Sequence, residues 1–199
     1  MVRIAKIGVY GGSFDPIHKG HLEVARHAME HLKLDEVIFV PNNQNPIKNK
    51  ANASAKDRLE MVRLAIADNP RFSVSDIETS RKGPSFMQET LMQLQFVRPG
   101  DYWLITGTDT LRTLTEWKNW QKILRMVRFG VAIRGHFNFE DSVKFVDPLI
   151  LEKVDHVPMP PVDISSTEVR DSLKRGRPVS AWVPESVVNY IKANKLYTQ

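Results

Sequence analysis

Residues 10–21 read Tyr-Gly-Gly-Ser-Phe-Asp-Pro-Ile-His-Lys-Gly-His, directly after an apolar run over 4–9 with the composition of a buried strand. Gly11 and Gly12 let backbone come close to a ligand. His18, Gly20 and His21 follow at the mouth of a helix, where unpaired N–H groups favour an anion. Two imidazoles three positions apart share one face of a helical turn and can address the same phosphate. An imidazole can donate from one or both nitrogens and offset charge that grows in a transition state. A His-x-x-His pair can also be an ordinary helix face or part of a metal site. A metal needs further ligands, however, and only Asp15 stands nearby, so donors aimed at phosphoryl oxygens are the better account. No Gly-Lys-Ser/Thr follows the glycines and no Gly-x-Gly-x-x-Gly is present, so the segment is neither a P-loop nor a dinucleotide fingerprint.

A second group of chemistry-bearing residues is Ser165, Ser166, Thr167, Glu168 and Arg170. Ser165 with Glu168 three later fits a capping box, which would make this simply a well-capped helix. Three hydroxyls at a helix start with an arginine one turn on also make a cradle for a polyphosphate.

These residues must be positioned by the elements around them, and strand-like and helix-like segments alternate along the chain. Strands are predicted over 4–9, 37–40, 72–77, 102–106, 127–133 and 154–157. Helices are predicted from the spacing of Leu22, Ala25, Met29 and Leu32, and over 56–67, 86–96, 167–174 and 185–194. The polar, Asn-rich stretch 42–55 reads as a long loop, a length that within a domain usually serves function. The alternation predicts an α/β fold, a Rossmann-like open and mostly parallel sheet with helices on both faces. A small C-terminal helical segment completes it. No repeat or linker interrupts 1–199, which reads as one domain.

The string at 10–21 resembles the signature of the nucleotidylyltransferase superfamily, in which His or Thr, any residue, Gly and His stand in that order. The superfamily's triphosphate-binding segment near the C-terminus, Ser-Ser-Thr-x-x-Arg, is matched here by 165–170. Intermediate segments are similar to the bacterial nicotinate-nucleotide adenylyltransferases. They are Asn45-Pro46-Ile47-Lys48, then Arg58-Leu59-Glu60-Met61, then Asp76-Ile77-Glu78 with Arg81 and Gly83-Pro84-Ser85-Phe86. Gly107-Thr108-Asp109 with Trp117 and Trp120 downstream completes the series.

The resemblance implies AMP transfer from ATP to nicotinate mononucleotide, with pyrophosphate released and Mg2+ accompanying the ATP. His18 and His21 would be catalytic. Gly11, Gly12, Ser13, Phe14 and Gly20 would line the ATP site, with Ser165, Ser166, Thr167 and Arg170 on the phosphates and Lys48 assisting. Gly107 and Asp109 would lie near ribose or phosphates, and Arg134 near ATP. Asp109 could equally cap the helical segment 110–114. Asp15, Ser85, Phe86, Met87 and Trp117 would meet the mononucleotide, Trp117 by stacking on the pyridine ring. The chain departs from the family where Ile47 replaces a common His and where Phe86-Met87 stand for Tyr-Thr. The same transfer to nicotinamide mononucleotide or another phosphorylated acceptor is the alternative, as is a catalytically silent nucleotide-binding regulator.

Composition narrows the partners. The 199 residues contain no cysteine, which excludes thiol catalysis, disulfides and cysteine-based zinc sites. A net charge of +5 suits anionic partners, but the basic residues are scattered and no RNA-recognition signature is present, so no nucleic acid is expected. No run approaches the roughly 20 apolar residues of a membrane helix, and no signal-peptide layout is visible, so a cytoplasmic protein without a membrane partner is expected. The resemblance leaves room for a homo-oligomer.

Overall fold

Strand β1 (Lys6–Gly12) leads through the glycine turn into helix α1 (Lys19–His31), followed by β2 (Glu36–Pro41), α2 (Ala55–Ile66), β3 (Phe72–Val74) and α3 (Met87–Val97). Then come β4 (Asp101–Gly107), α4 (Thr108–Arg112), a 3-10 turn (Leu114–Glu116), α5 (Trp120–Met126) and β5 (Arg128–Ala132). The chain finishes with α6 (Phe139–Val143), α7 (Pro148–Leu151), β6 (Val154–Val157), α8 (Ser166–Lys174) and α9 (Glu185–Ala193). The computed structural model describes residues 3–44, 51–133 and 138–198.

Among the described residues the strands form one six-stranded parallel sheet in the order β3-β2-β1-β4-β5-β6. This is the Rossmann-like α/β architecture expected from the alternation. β1 lies beside β4 from the pair Lys6 and Asp101 to Val9 and Leu104, and β4 beside β5 from Trp103 and Arg128 to Gly107 and Ala132. The strand order reverses between β1 and β4. In open α/β sheets ligands bind at such a switch point, beyond the carboxyl ends of the strands. Those ends are Gly11-Gly12 and Gly107.

The chain divides into two compact units. The first comprises 1–11, 24–38 and 86–162, and holds most of the sheet. Ile7, Val9, Leu104, Ile105, Phe129 and Val131 are buried there, giving the nearly continuous apolar strands of a parallel sheet covered on both faces. At one place this layer is polar. Asp155 accepts from the Trp103 indole N–H at 2.8 Å and is gripped by the Arg128 guanidinium at 2.6 and 2.7 Å. The bonds from Arg128 overcome partial burial and hold the Asp155 carboxyl below its usual range. The second unit comprises 12–23, 39–85 and 163–199. Its core is Phe39, Met61, Val62, Val169, Val183 and Val187, all fully buried.

Several boundaries differ from the sequence reading. β1 starts at Lys6, because the Asp35 carboxylate accepts the Lys6 backbone N–H at 2.8 Å while Ile4 is exposed. β3 stops at Val74, where polar residues close local turns: the Ser75 hydroxyl accepts from the Ile77 N–H, and the Asp76 carbonyl from the Ser80 N–H. Residue 55 belongs to α2, whose cap is Ser54, accepting from the Asp57 N–H.

Candidate active site

Helix α1 opens at Lys19, so His18 occupies its cap position and His21 is its third residue. The His18 backbone N–H donates to Nδ1 of His21 at 3.3 Å. This is the reciprocal half of a capping box, with an imidazole where a Glu or Gln usually reaches back. Accepting on Nδ1 leaves the proton of a neutral His21 ring on Nε2, as a donor. The two imidazoles stack with centroids 3.7 Å apart, and the Phe14 ring meets His21 edge-on at 5.2 Å. His18 is buried. The helix start is tied down further: the Lys19 N–H donates to the Trp182 carbonyl at 2.8 Å and its ammonium to the Ser180 carbonyl at 2.9 Å.

Phe14 sits at φ 48°, a left-handed conformation that aromatic residues rarely adopt. Its ring lies so close over the turn that a Cβ on Gly12 would come within 3.0 Å of it. A side chain at 12 would fit only if the ring gave way by a few tenths of an ångström.

Asp15 organises the turn. Its Oδ2 accepts from the Asn52 N–H at 2.8 Å and the Asn52 side chain at 3.1 Å, and its Oδ1 from the Ala53 N–H at 3.0 Å and the Tyr197 hydroxyl at 2.8 Å. Burial alone would raise this carboxyl, but the bonds from Asn52, Ala53 and Tyr197 outweigh it and hold it below the ordinary range. Asp15, expected at the mononucleotide, also holds this loop, since both its carboxylate oxygens accept from the protein's own donors.

Arg58, 1% exposed, spans the same region. It donates to the carbonyls of Ser13 at 2.7 Å, Asn42 at 2.7 Å and Asn43 at 3.0 Å, with longer bonds to the Asn42 side chain and the Ala53 carbonyl at 3.3 Å. Burial lowers its pKa, and the charge on Asp15 opposes that shift. Helix α8 docks beneath the turn. Ser165 forms the complete capping box with Glu168. The Ser166 hydroxyl donates to the Pro16 carbonyl at 2.9 Å. Arg170 donates to the Asp15 carbonyl at 2.7 Å and to the Thr167 hydroxyl at 3.1 Å. The structure thus brings Gly12, Ser13, Phe14, Asp15, His18, Gly20 and His21 together with Ser166, Thr167 and Arg170. Ser85 closes the far side of the 42–44 segment, its hydroxyl accepting from the Asn43 N–H at 3.0 Å and its N–H donating to the Gln44 carbonyl at 2.9 Å.

The other expected residues lie in the first unit. Gly107 ends β4 and caps α4, so Asp109 is an exposed carboxylate in the first helical turn and not the cap. Phe86 caps α3 and Met87 opens it. The Met87 side chain lies against Gly11, where an added Cβ would come within 2.5 Å of its Cε. Trp117 follows the 3-10 turn, half-buried. Its neighbours hold it to α3: the Lys118 ammonium lies 4.3 Å from the centre of the Phe86 ring, and the Asn119 amide donates to the Gln88 side chain at 3.2 Å. Lys48 and Arg134 fall outside the described residues. Arg58, Asn52 and Tyr197 were given no role by sequence reasoning. Arg58 lies in the family-like segment 58–61, while Tyr197 carries no local signal.

The chain belongs to a class of nucleotidyl-transfer proteins, the cytidylyltransferase-like family, whose model matches residues 9–172. Its curated relatives narrow the class. It is 39% identical over 195 residues to the "Probable nicotinate-nucleotide adenylyltransferase" of Herpetosiphon aurantiacus, covering 96% of this chain and 98% of that one. To the protein of the same name from Thermus thermophilus it is 41% identical over 193 residues, covering 96% and 99%. Among solved structures, Plasmodium falciparum nicotinic acid mononucleotide adenylyltransferase complexed with NaAD has the same fold, with a TM-score of 0.80 over 97% of each chain at 22% identity.

Proposed function

We propose that this protein transfers AMP from ATP to nicotinate mononucleotide, giving nicotinate adenine dinucleotide and pyrophosphate in NAD biosynthesis. The observation that carries the chemistry is the histidine pair, held so that a neutral His21 is a donor at Nε2. The acceptor is supported by full-length likeness to relatives named for that substrate.

An oxygen of the mononucleotide 5′-phosphate attacks the α-phosphorus in line. The bond from that phosphorus to the bridging oxygen breaks, and pyrophosphate leaves with the electron pair. The attacking phosphate is already a nucleophile, so the protein's part is positioning and charge stabilisation. His18 and His21 address the α-phosphate, against the backbone of Gly11, Gly12, Ser13, Phe14 and Gly20. The first-turn N–H groups of α8 at Ser166 and Thr167, with Arg170, receive the departing pyrophosphate, assisted by Lys48. The Ser166 proton already serves Pro16, so Ser166 acts through its backbone. Gly107, Asp109 and Arg134 serve the nucleotide, while Ser85, Phe86, Met87 and Trp117 receive the pyridine nucleotide.

Among the described residues, no group of three His, Asp or Glu side chains is arranged to hold a metal. We assign magnesium to the MgATP substrate, ligated chiefly by phosphates and water. No described helix is long and apolar enough to cross a membrane, and we assign the reaction to the cytoplasm.

The test is pyrophosphate release and dinucleotide formation by the wild-type protein with MgATP and either nicotinate or nicotinamide mononucleotide. Preference for the acid is expected. Preference for the amide would overturn the acceptor, and no pyrophosphate with either would overturn the reading.

A further inference from the structure

The carboxyl-terminal residues reach back to the catalytic turn through one hydroxyl. Helix α9 ends in a Schellman turn: the Leu196 N–H donates to the Ile191 carbonyl at 3.0 Å and the Lys195 N–H to that of Lys192 at 3.2 Å, with Lys195 at φ 50°. The reversed chain places Tyr197 in a buried position, 8% exposed, at φ 61°. There its hydroxyl donates to Asp15 Oδ1 at 2.8 Å, across 182 residues of sequence. Phe14, the residue before Asp15, is also held in the left-handed region, at φ 48°. Two aromatic residues in a disfavoured conformation, flanking one buried hydrogen bond, are the kind of strain that persists where surrounding contacts enforce it.

We propose that Tyr197 is a positioning residue for the histidine pair. Its hydroxyl fixes the Asp15 carboxylate, which holds the Asn52 and Ala53 N–H groups ahead of α2, while the Asp15 carbonyl holds Arg170. Only Pro16 and Ile17 separate Asp15 from His18. Pro16 is pinned by Ser166 and Ile17 is fully buried, so a rotation at Asp15 is passed on to the imidazoles. Burial, then the charge and hydrogen bond of Asp15, push the Tyr197 hydroxyl well above its ordinary pKa, so it remains a donor under assay conditions.

The inference rests on the adenylyl-transfer reading, and the test separates the two. Tyr197→Phe keeps the ring and removes the donor. Well below the unfolding temperature, kcat should fall at least about 10-fold, since small misplacements of catalytic groups are costly, while KM for MgATP stays within about 3-fold. The Asn52 and Ala53 amides should exchange with solvent at least about 10-fold faster. Asp15→Ala should cause at least as large a loss in kcat, and adding Tyr197→Phe to it should cause little more, because the acceptor of the Tyr197 hydroxyl is already gone. A wild-type kcat in Tyr197→Phe, or losses that multiply in the double variant, would overturn the proposal. If the wild type itself released no pyrophosphate, the adenylyl-transfer reading would fail. Amide exchange would still decide whether Tyr197 holds the loop, and unchanged exchange would overturn that.

Discussion

Replacing Arg58 by Met should destabilise the protein by about 4 kcal/mol, and the figure follows from what the guanidinium touches. Its bond to the Asn42 carbonyl, 2.7 Å long, is buried, while those to Ser13 and Asn43 are partly buried. Methionine fills most of the apolar volume but leaves these carbonyls without their donor. A buried acceptor left unpaired costs about 1–3 kcal/mol. We assign about 2 kcal/mol to Asn42 and about 1 kcal/mol each to Ser13 and Asn43, where water can partly substitute. The two bonds at 3.3 Å add little. For a chain of this size each kcal/mol shifts Tm by about 2–4 °C, so thermal unfolding should show a fall of about 8–16 °C. Arg58→Lys keeps the charge but concentrates its donors on one nitrogen, which cannot span carbonyls on three segments, and should recover less than half of the loss. A fall below about 4 °C for Arg58→Met, or wild-type stability for Arg58→Lys, would refute the view that this side chain ties the turn after β1 to the segments before and after 45–50.

Ser165→Ala removes the capping hydroxyl of α8 and should cost about 1 kcal/mol, lowering Tm by about 2–4 °C. Ser165→Asp, which can also cap, should restore most of it; equal losses would argue against the cap. Asp15 has a folded pKa below its unfolded value. Its contribution to stability is therefore fully present above the unfolded value of about 4, and is lost as pH falls from there through the folded pKa. A Tm profile between about pH 5 and 2 should slope less steeply in Asp15→Asn than in the wild type, and identical slopes would contradict the assignment. Gly12→Ala places a Cβ about 3.0 Å from the Phe14 ring, which should displace the ring from His21 and lower kcat at least about 10-fold. A wild-type rate in that variant would show that the ring contact is dispensable.

The parts of the site legible in the sequence are those whose logic is local. His18 and His21, the glycine turn, and Ser165 with Glu168 declare themselves by short spacing, and the order of strands and long helices by periodicity. What the sequence conceals is carried by distant pairs. Tyr197 and Asp15 are joined by a single hydrogen bond, and nothing near either residue announces the other. Arg58 looks like any exposed helix arginine until its carbonyl partners on three segments are assembled around it. Asp15 itself is legible as important, but the donors it gathers from 52, 53 and 197 are too distant along the chain to be read from its neighbours. The short helices Trp120–Met126, Phe139–Val143 and Pro148–Leu151 went unread because elements of that length carry too few turns for periodicity to register. Asp109 lost its expected cap position because Gly107, ending β4 in extended backbone, already occupies it.

The central claim is that a histidine pair at the start of α1 stabilises AMP transfer. Its most direct test is the rate of pyrophosphate release at saturating MgATP and nicotinate mononucleotide, compared between the wild type and His21→Ala. The account predicts a loss of roughly 100-fold to 1,000-fold in kcat, with affinity for MgATP nearly unchanged and a far-ultraviolet circular dichroism spectrum like that of the wild type. A His21→Ala protein that turns over within a few-fold of the wild type would contradict it.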